Sequence, residues 1–350
     1  MKAKTVKIAL KGSGLYLGME KGCFVIKRKK RVIERYPMFE NIIDEIHVVS
    51  GNMVSTGVLA SCGFWGITVL VKTRRGKPVA VLRSMDDYSH VKTRIAQYES
   101  LKNGKGVEIA KAVAYAKLEG QDKVLEHYNL ERHKMDKIKA KIESLQPKSL
   151  KEARKKLVYL EARATQRYFR QIFTLLPKEI RIFKRKTYGA YDGVNNTFNL
   201  AYTILQYRVF IAILKAHLEP FLGYIHSLQF GKPSLVCDFM ELYRYLIDHY
   251  VIGFCKNLTR KDFILKKDWL SHDRLAKRQV LSKTKTDQLV EGLEKYFEVK
   301  VDIPRVKHGF KQAIESLINE EALLLAKYLR GERKTWKPRL PNLPSIEMNI

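Results

Sequence analysis

The chain has 350 residues and a formal net charge of +30, because 66 lysines and arginines face only 36 aspartates and glutamates. Such a surplus predicts a polyanionic partner, most simply a nucleic acid, with a merely basic surface as the alternative. Four cysteines without a CxxC pair, an N-terminus without an apolar signal segment and no long uncharged apolar run argue against a secreted or membrane-spanning protein. A cytoplasmic protein is therefore expected.

Residues 1–88 are predicted to form a small β-rich domain. Short segments rich in β-branched residues are separated by clusters of Gly, Lys or Asn, a pattern typical of strands. These segments read KTVKIAL, GLYLGM, CFVIKRK, RVIERY, EIHVVSG, GITVLVK and PVAVLRS, with a short helix predicted in VSTGVLASCGFW. A domain of this size buries little apolar surface and leaves strand edges unpaired, so it is the expected dimerisation domain.

Residues 93–330 are predicted to form a larger all-α domain, after a linker near residues 85–92. Helical periodicity dominates here, and VNNTFNLAYTILQYRVFIAILKAHLEP is apolar around most of its girth, which predicts a buried central helix. The basic tail at residues 331–350 contains three prolines and is predicted to be flexible. The predicted fold class is therefore α+β, with a small β-rich N-terminal domain followed by a larger all-α C-terminal domain.

The stretch GYIHSLQFGKPSLVCDFMELYR, residues 223–244, carries acids and a histidine within a mostly apolar run. If a helix begins near Pro233, Asp238 and Glu241 lie three residues apart on one face of it. The turn at FGKP can fold His226 back towards that face. Two carboxylates and an imidazole suit Mg²⁺ or Mn²⁺ better than a structural Zn²⁺, which favours Cys or several His.

A structural interpretation of the same residues stays open. Asp238 can favour the positive end of a helix dipole. Glu241 can pair with Arg244 or Lys232 on the surface of a helix. His226 can be a hydrogen-bonded residue of the core. Spacing alone does not decide between a metal site and these structural roles.

Glu161, in LVYLEARATQRYF, is the candidate for a further ligand, although an ordinary helical glutamate paired with a neighbouring Lys or Arg has the same pattern. Three features follow one another along the chain: this glutamate, the segment DGVNNTFNLAYTIL and the segment LEPFLGYIHSLQFGKPSLVCDFMELYR. Together they resemble the CRISPR-associated integrase family, the DNA-capturing proteins of prokaryotic adaptive immunity. The resemblance covers most of the chain. It implies the same architecture, a β-rich N-terminal domain joined to an all-α domain.

The resemblance implies that one Mg²⁺ or Mn²⁺ ion is held by Glu161, His226 and Glu241, with Asp238 beside it, and that these four residues are catalytic. Two departures from the family pattern are small. Ala162 stands where Gly is frequent in the family, and Glu241 stands where some relatives use Asp. Tyr168, Asn195, Ser234 and Arg244 stand at motif positions, for which the resemblance implies supporting roles. The basic residues Arg163, Lys184 and Arg185 lie beside the motifs and are candidates for contacts with DNA phosphates.

The same resemblance implies a metal-dependent endonuclease and integrase that captures double-stranded foreign DNA. A 3′-hydroxyl of the captured fragment would attack a phosphodiester of the CRISPR repeat. The implied assembly is a homodimer through the β-rich domain, with two dimers bridged by a small second CRISPR adaptation subunit. Two other interpretations stay open: a non-enzymatic architectural DNA- or RNA-binding protein, and a general metal-dependent nuclease without integration activity.

Overall fold

The computed structural model describes residues 4–38, 41–74, 78–84, 91–132, 134–271, 274–303 and 311–345. The chain divides into two compact units, Met1–Ser89 and His90–Ile350. The predicted linker near residues 85–92 falls mainly on residues 85–90, which lie outside the described residues.

The first unit is β-rich, as its sequence predicts, and each of the predicted strand segments contains a strand. The short helix predicted after the fifth segment is also present. In the described part of this unit the elements are β1 (Lys4–Leu10), β2 (Leu15–Glu20), β3 (Cys23–Arg28), β4 (Arg31–Pro37), β5 (Asn41–Val49), β6 (Met53–Val54), α1 (Thr56–Phe64), β7 (Thr68–Lys72) and β8 (Pro78–Leu82).

The strands of the first unit form two four-stranded sheets. One has the order β1-β5-β7-β8, in which β1, β5 and β7 are parallel and β8 is antiparallel to β7. The other has the order β4-β3-β2-β6. Alternate residues such as Ile8, Leu10 and Leu17 are fully buried with Val58 of α1, so both sheets and the helix contribute to one hydrophobic core.

The second unit is mainly helical. Its described helices are α2 (Val91–Ser100), α3 (Gly104–His127), α4 (Met135–Glu143), α5 (Leu150–Ile172), α6 (Gly193–Lys215), α7 (Ser234–Met240), α8 (Arg244–Cys255), α9 (Lys283–Glu298) and α10 (Ile314–Leu329), with 3₁₀ turns at Phe173–Leu175 and Arg260–Asp262. Together with the β-rich first unit, this arrangement confirms the predicted α+β fold class.

The prediction of an all-α domain for residues 93–330 is wrong in detail, because two antiparallel strand pairs interrupt the helices. They are β9 (Phe263–Ser271) with β10 (Arg274–Leu281), and β11 (Lys300–Asp302) with β12 (Lys311–Ala313). Phe263 packs where α6 begins: a Cβ atom added to Gly193 would lie 2.1 Å from the Phe263 ring. Packing on α6 therefore stabilises the β9–β10 hairpin, whose lysine-rich sequence only weakly indicates strands.

Helix α6 is the central helix of this unit, as its apolar girth predicts. It begins at Asp192, whose side chain accepts a hydrogen bond of 2.7 Å from the backbone N–H of Asn195. By length and composition it is the one helix among the described residues that could cross a membrane. Its buried side chains, including Phe198, Ala201 and Leu205, instead belong to the hydrophobic core of the unit.

The single helix predicted from Pro233 onwards is broken in two. Helix α7 ends at Met240 and α8 begins at Arg244, and the intervening residues form hydrogen bonds to residues three positions earlier. Leu242 and Tyr243 in this break are fully buried. Their burial in the core sets the direction of each helix, and no local sequence signal marks the break.

The tail at residues 331–350, predicted to be flexible, packs in part against the second unit. Trp336 and Leu340 are buried in the core of the second unit. The Trp336 indole donates a hydrogen bond of 2.8 Å to the buried carboxylate of Glu321, and the Tyr245 hydroxyl donates one of 2.6 Å to the Pro341 carbonyl. Buried apolar side chains next to the prolines therefore hold this segment against the helices.

Candidate active site

Asp238, on α7, fixes the position of His226. Its carboxylate is fully buried and accepts hydrogen bonds from the backbone N–H groups of Tyr224, Ile225 and His226, the last two at 2.9 Å. The Nδ1 atom of His226 lies 2.7 Å from the same carboxylate. A carboxylate oxygen at this distance accepts a hydrogen bond from Nδ1–H, which leaves Nε2 as the nitrogen that can bind a metal.

The loop that carries His226 is held by close packing and by side-chain donors. A Cβ atom at Gly223 would lie 2.7 Å from the Cβ of Ser234, so only glycine fits there. Ser234 donates a hydrogen bond of 2.9 Å to the Ser227 carbonyl, and Arg154 donates to the carbonyls of Gly223 and Tyr224, both at 2.7 Å. Sequence reasoning missed Arg154, because its partners lie about 70 residues away in the chain.

Glu161, on α5, and Glu241, just after α7, converge on one nitrogen atom. The Nζ atom of Lys117, on α3, lies 2.5 Å from Glu161 and 3.1 Å from Glu241. On its other oxygen, Glu241 accepts a hydrogen bond of 2.6 Å from Arg244. The pairing of Glu241 with Arg244 that the sequence left open is therefore present, and a lysine absent from the sequence prediction lies between the two acids.

Glu241 and Lys117, which form an ion pair in this network, are both charged at neutral pH. Burial alone would raise the pKa of Glu241, but the charges of Arg244 and Lys117 outweigh it and lower that pKa to about 2. Burial alone would lower the pKa of Lys117, but the charges of Glu241 and Glu161 outweigh it and raise that pKa above its ordinary value. The centre is thus a buried ion network with a cation already at the point where the two carboxylates meet.

The predicted ligands divide into two groups. Glu161 and Glu241 share Lys117, whereas His226 is bound to Asp238. Asp238 and Glu241 therefore bind different partners, although the sequence predicted that they share one face. Within the described ranges, no three Asp, Glu, His or Cys side chains lie close enough to hold a metal as they stand. In chemical type, two carboxylates and an imidazole with a fixed Nδ1 proton still fit Mg²⁺ or Mn²⁺.

A cavity of about 490 Å³ adjoins Glu241. Its lining is strongly basic and partly aromatic, which suits a phosphate group attached to a nucleoside. Phe183 is 84% exposed at this surface. The lining residues that carry these properties are Lys117, Arg163, Arg170, Phe183, Lys184, Arg185, Tyr202 and Arg244.

Arg185 is held rigidly in this cavity. Its guanidinium donates hydrogen bonds to the side-chain oxygens of Asn195, at 3.0 Å, and Asn199, at 2.6 Å. It also lies over the ring of Tyr202, 5.2 Å from the centroid. Four of the predicted supporting residues line this cavity: Arg163, Lys184, Arg185 and Arg244.

Three other predicted supporting residues are buried and act on the protein itself. Asn195, 1% exposed, connects the start of α6 to the segment containing Lys184 and Arg185. Ser234 and Tyr168 are fully buried. Their burial favours the predicted supporting role over direct contact with DNA.

Asp248, on α8, also lines the cavity and was not predicted. Its carboxylate accepts hydrogen bonds from the hydroxyls of Tyr168, at 2.9 Å, and Tyr202. Burial raises the pKa of Asp248 to about 6, and the hydrogen bonds from Tyr202 and Tyr168 and the charge of Arg244 only partly oppose this effect. No short motif could have revealed it, since Tyr168 is 80 residues away.

The sequence matches the family model of CRISPR associated protein Cas1 over residues 8–286, and the chain belongs to this family. It is 27% identical over 271 residues to the CRISPR-associated endonuclease Cas1 of Korarchaeum cryptofilum, which covers 72% of this chain and 78% of that protein. It is 31% identical over 256 residues to a CRISPR-associated endonuclease Cas1 of Pyrobaculum aerophilum, covering 71% and 81%. The family resemblance of the sequence is confirmed.

The fold is shared with solved structures at lower sequence identity. A casposase bound to its integration product superposes with a TM-score of 0.73 at 19% identity, covering 99% of this chain and 95% of that one. A chain of a partial Cas6-RT-Cas1–Cas2 complex gives a TM-score of 0.69 at 18% identity, covering 96% and 98%. These likenesses concern the fold alone, whereas the family assignment rests on the sequence match.

Proposed function

We propose that this protein is a metal-dependent DNA endonuclease and integrase of CRISPR adaptation, which inserts captured DNA fragments into a CRISPR array. The observation that carries the proposal is the meeting of Glu161 and Glu241 beside a basic cavity. Family membership supports it, as do relatives named endonucleases and a neighbour bound to an integration product. The net charge of +30 fits a DNA substrate.

Glu161, Glu241 and the Nε2 atom of His226 are the residues that would hold Mg²⁺ or Mn²⁺. When bound, such an ion supplies a Lewis acid that lowers the pKa of an attacking hydroxyl and offsets charge at the phosphate. Asp238 contributes by keeping the proton of His226 on Nδ1 and by fixing the loop. It acts on the orientation of a ligand and is not itself proposed as a ligand.

The cations of the cavity bind and orient the DNA. Arg185 is fixed by two asparagine side chains, so little conformational entropy is lost when it binds a phosphate. Arg163 and Lys184 add charge on the same lining. A 3′-hydroxyl then attacks a phosphodiester of the repeat: a new P–O bond forms, the P–O bond to the 3′-oxygen of the cut strand breaks, and that oxygen leaves as a hydroxyl after taking up a proton. Water in place of the attacking hydroxyl gives hydrolysis.

The proposed assembly is a homodimer through the β-rich unit, joined by a small second CRISPR adaptation subunit, in the cytoplasm. Large apolar side chains on that unit are solvent-exposed in the single chain, including Met53 at 65% and Phe64 at 78%. Support for the second subunit comes from a solved structure of similar fold, which is a chain of a partial Cas6-RT-Cas1–Cas2 complex.

The test is strand transfer of short DNA with free 3′-hydroxyls into a supercoiled plasmid carrying CRISPR repeats, in Mn²⁺ or in EDTA. Glu161→Gln, Glu241→Gln and His226→Ala are each expected to abolish cleavage and strand transfer while DNA binding remains. Glu119→Gln is the matched control, since that carboxylate pairs with Lys139 away from the cavity.

Three outcomes would contradict the proposal or narrow it. Full activity of His226→Ala in Mn²⁺ would remove the imidazole from the reaction. Loss of fold and DNA binding together in the three variants would leave an architectural DNA-binding protein. Cleavage without strand transfer in the native protein would leave a general metal-dependent nuclease.

A further inference from the structure

Lys117 lies between two acidic side chains, and the mechanism proposed above gives this lysine no role. Its side chain is 10% exposed, and its Nζ atom is within 3.1 Å of both Glu161 and Glu241. The three residues come from α3, α5 and the end of α7, so the ammonium joins three separate segments of the second unit. Its position is the one that a cation shared by the two carboxylates must take.

Without a cation between them, the two carboxylates would repel each other. One is 6% exposed and the other 17%, so water screens this repulsion poorly. A buried ammonium bound to both relieves the repulsion and keeps the pair together. A divalent metal bound to the same oxygens would do the same, with twice the charge.

We propose that Lys117 is a positioning residue that holds Glu161 and Glu241 together in the metal-free protein and competes with the divalent metal for them. The proposal rests on the metal site proposed above. Metal binding then displaces the ammonium from the carboxylates. The cavity of about 490 Å³, which Lys117 itself lines, provides the space for this movement.

A lysine that serves only as a structural ion pair provides the contrast. Lys139, on α4, is also 10% exposed and pairs with three acids: Glu119 at 2.9 Å, Asp122 at 2.7 Å and Asp136 at 3.1 Å. It has no part in the cavity lining. Removing the ammonium of Lys139 therefore matches the change at Lys117 in burial and breaks at least as many ion pairs, without touching the proposed site.

The experiment measures Mn²⁺ affinity by isothermal titration calorimetry in the DNA-free protein. Lys117→Met keeps the apolar stem and removes the competing charge, so the Kd for Mn²⁺ is expected to fall about tenfold or more. Lys117→Arg retains the charge and is expected to stay within about threefold of the native value. Lys139→Met is expected to lose stability and leave the Kd unchanged.

A Kd that is unchanged or higher in Lys117→Met would overturn the proposal. Should that variant fail to fold, amine acylation read by mass spectrometry tests the native protein directly. Labelling of Lys117 is expected to increase severalfold when Mn²⁺ is added, and equal labelling with and without Mn²⁺ would overturn the proposal. Absence of Mn²⁺ binding in every variant would instead contradict the metal site itself, and with it the proposed function.

Discussion

Glu241 and Asp248 lie seven positions apart and line the same cavity, but their surroundings differ. Glu241 lies between two cations, which lower its pKa to about 2. Asp248 is bound by two tyrosine hydroxyls, and burial raises its pKa to about 6. Equal burial thus produces an acid that stays ionised and one that titrates, because full opposite charges compensate for lost hydration far better than neutral hydroxyls do.

Asp238 adds a third kind of environment to this comparison. Its hydrogen-bond partners among the described residues are backbone N–H groups and one imidazole. A carboxylate bound in this way determines the path of the chain as well as the direction of a side chain. Replacing Glu241, Asp248 or Asp238 should therefore affect different properties: an ion network, a pH-dependent stability and the path of a loop.

The largest effect is expected at Asp238. Asp238→Ala leaves three buried backbone N–H groups without an acceptor and should lower the free energy of unfolding by about 4 kcal/mol, measured by urea denaturation. Asp238→Asn keeps one acceptor oxygen and should cost about half as much. A loss below about 1 kcal/mol for the alanine variant would show that the loop does not depend on this carboxylate.

The next effect is a pH dependence at Asp248. Because its pKa is raised from 3.8 to about 6 on folding, the folded state binds this proton more tightly than the unfolded state does. Its contribution to stability is therefore present below about pH 4 and lost as the pH rises through about 6. Over that range, the native protein should lose about 3 kcal/mol relative to Asp248→Asn.

Urea denaturation of both proteins between pH 4 and pH 7 measures this difference directly. Changes common to the whole basic chain cancel, since only one titratable group distinguishes the two proteins. Parallel stability curves over this range would mean that Asp248 keeps an ordinary pKa in the folded protein.

A smaller effect separates the two acids that share Lys117. Glu241→Gln leaves two cations with a lost partner, whereas Glu161→Gln affects only Lys117 and lies at a more exposed position. The first variant should therefore lower the free energy of unfolding by about 2 kcal/mol more than the second. Equal losses in thermal or urea denaturation would show that Arg244 contributes little to holding Glu241.

The smallest effect is expected on the β9–β10 hairpin. Lys267 and Lys277 are exposed and directly opposite each other in the strand register, an arrangement that like charges disfavour and a DNA phosphate would relieve. Replacing both by Gln should reduce the slope of log affinity against log salt by about 1.8. Replacing Lys151 and Lys155 on α5 is the control, expected to leave the slope unchanged. An unchanged slope in the hairpin variant would remove this ribbon from the DNA-binding surface.

The sequence by itself determined the two-part fold class and the family. Both depend on patterns that are local in the chain: alternation in short strands, helical periodicity, and motifs such as the one around Asp238 and Glu241. The N-terminal caps by Ser149 and Asp192 are equally local, since each side chain binds a backbone N–H three residues later. Patterns of this kind can be read from composition and spacing, without knowledge of the partners across the core.

Only the tertiary structure decided how the site is held. Lys117 meets Glu161 across 44 residues, and Tyr168 meets Asp248 across 80, so neither contact leaves a local trace in the sequence. The break between α7 and α8 and the packing of Trp336 likewise depend on neighbours distant in the chain. Burial and the partners that the fold supplies then set the pKa values of Glu241 and Asp248, because the cost of removing a carboxylate from water depends on the groups around it.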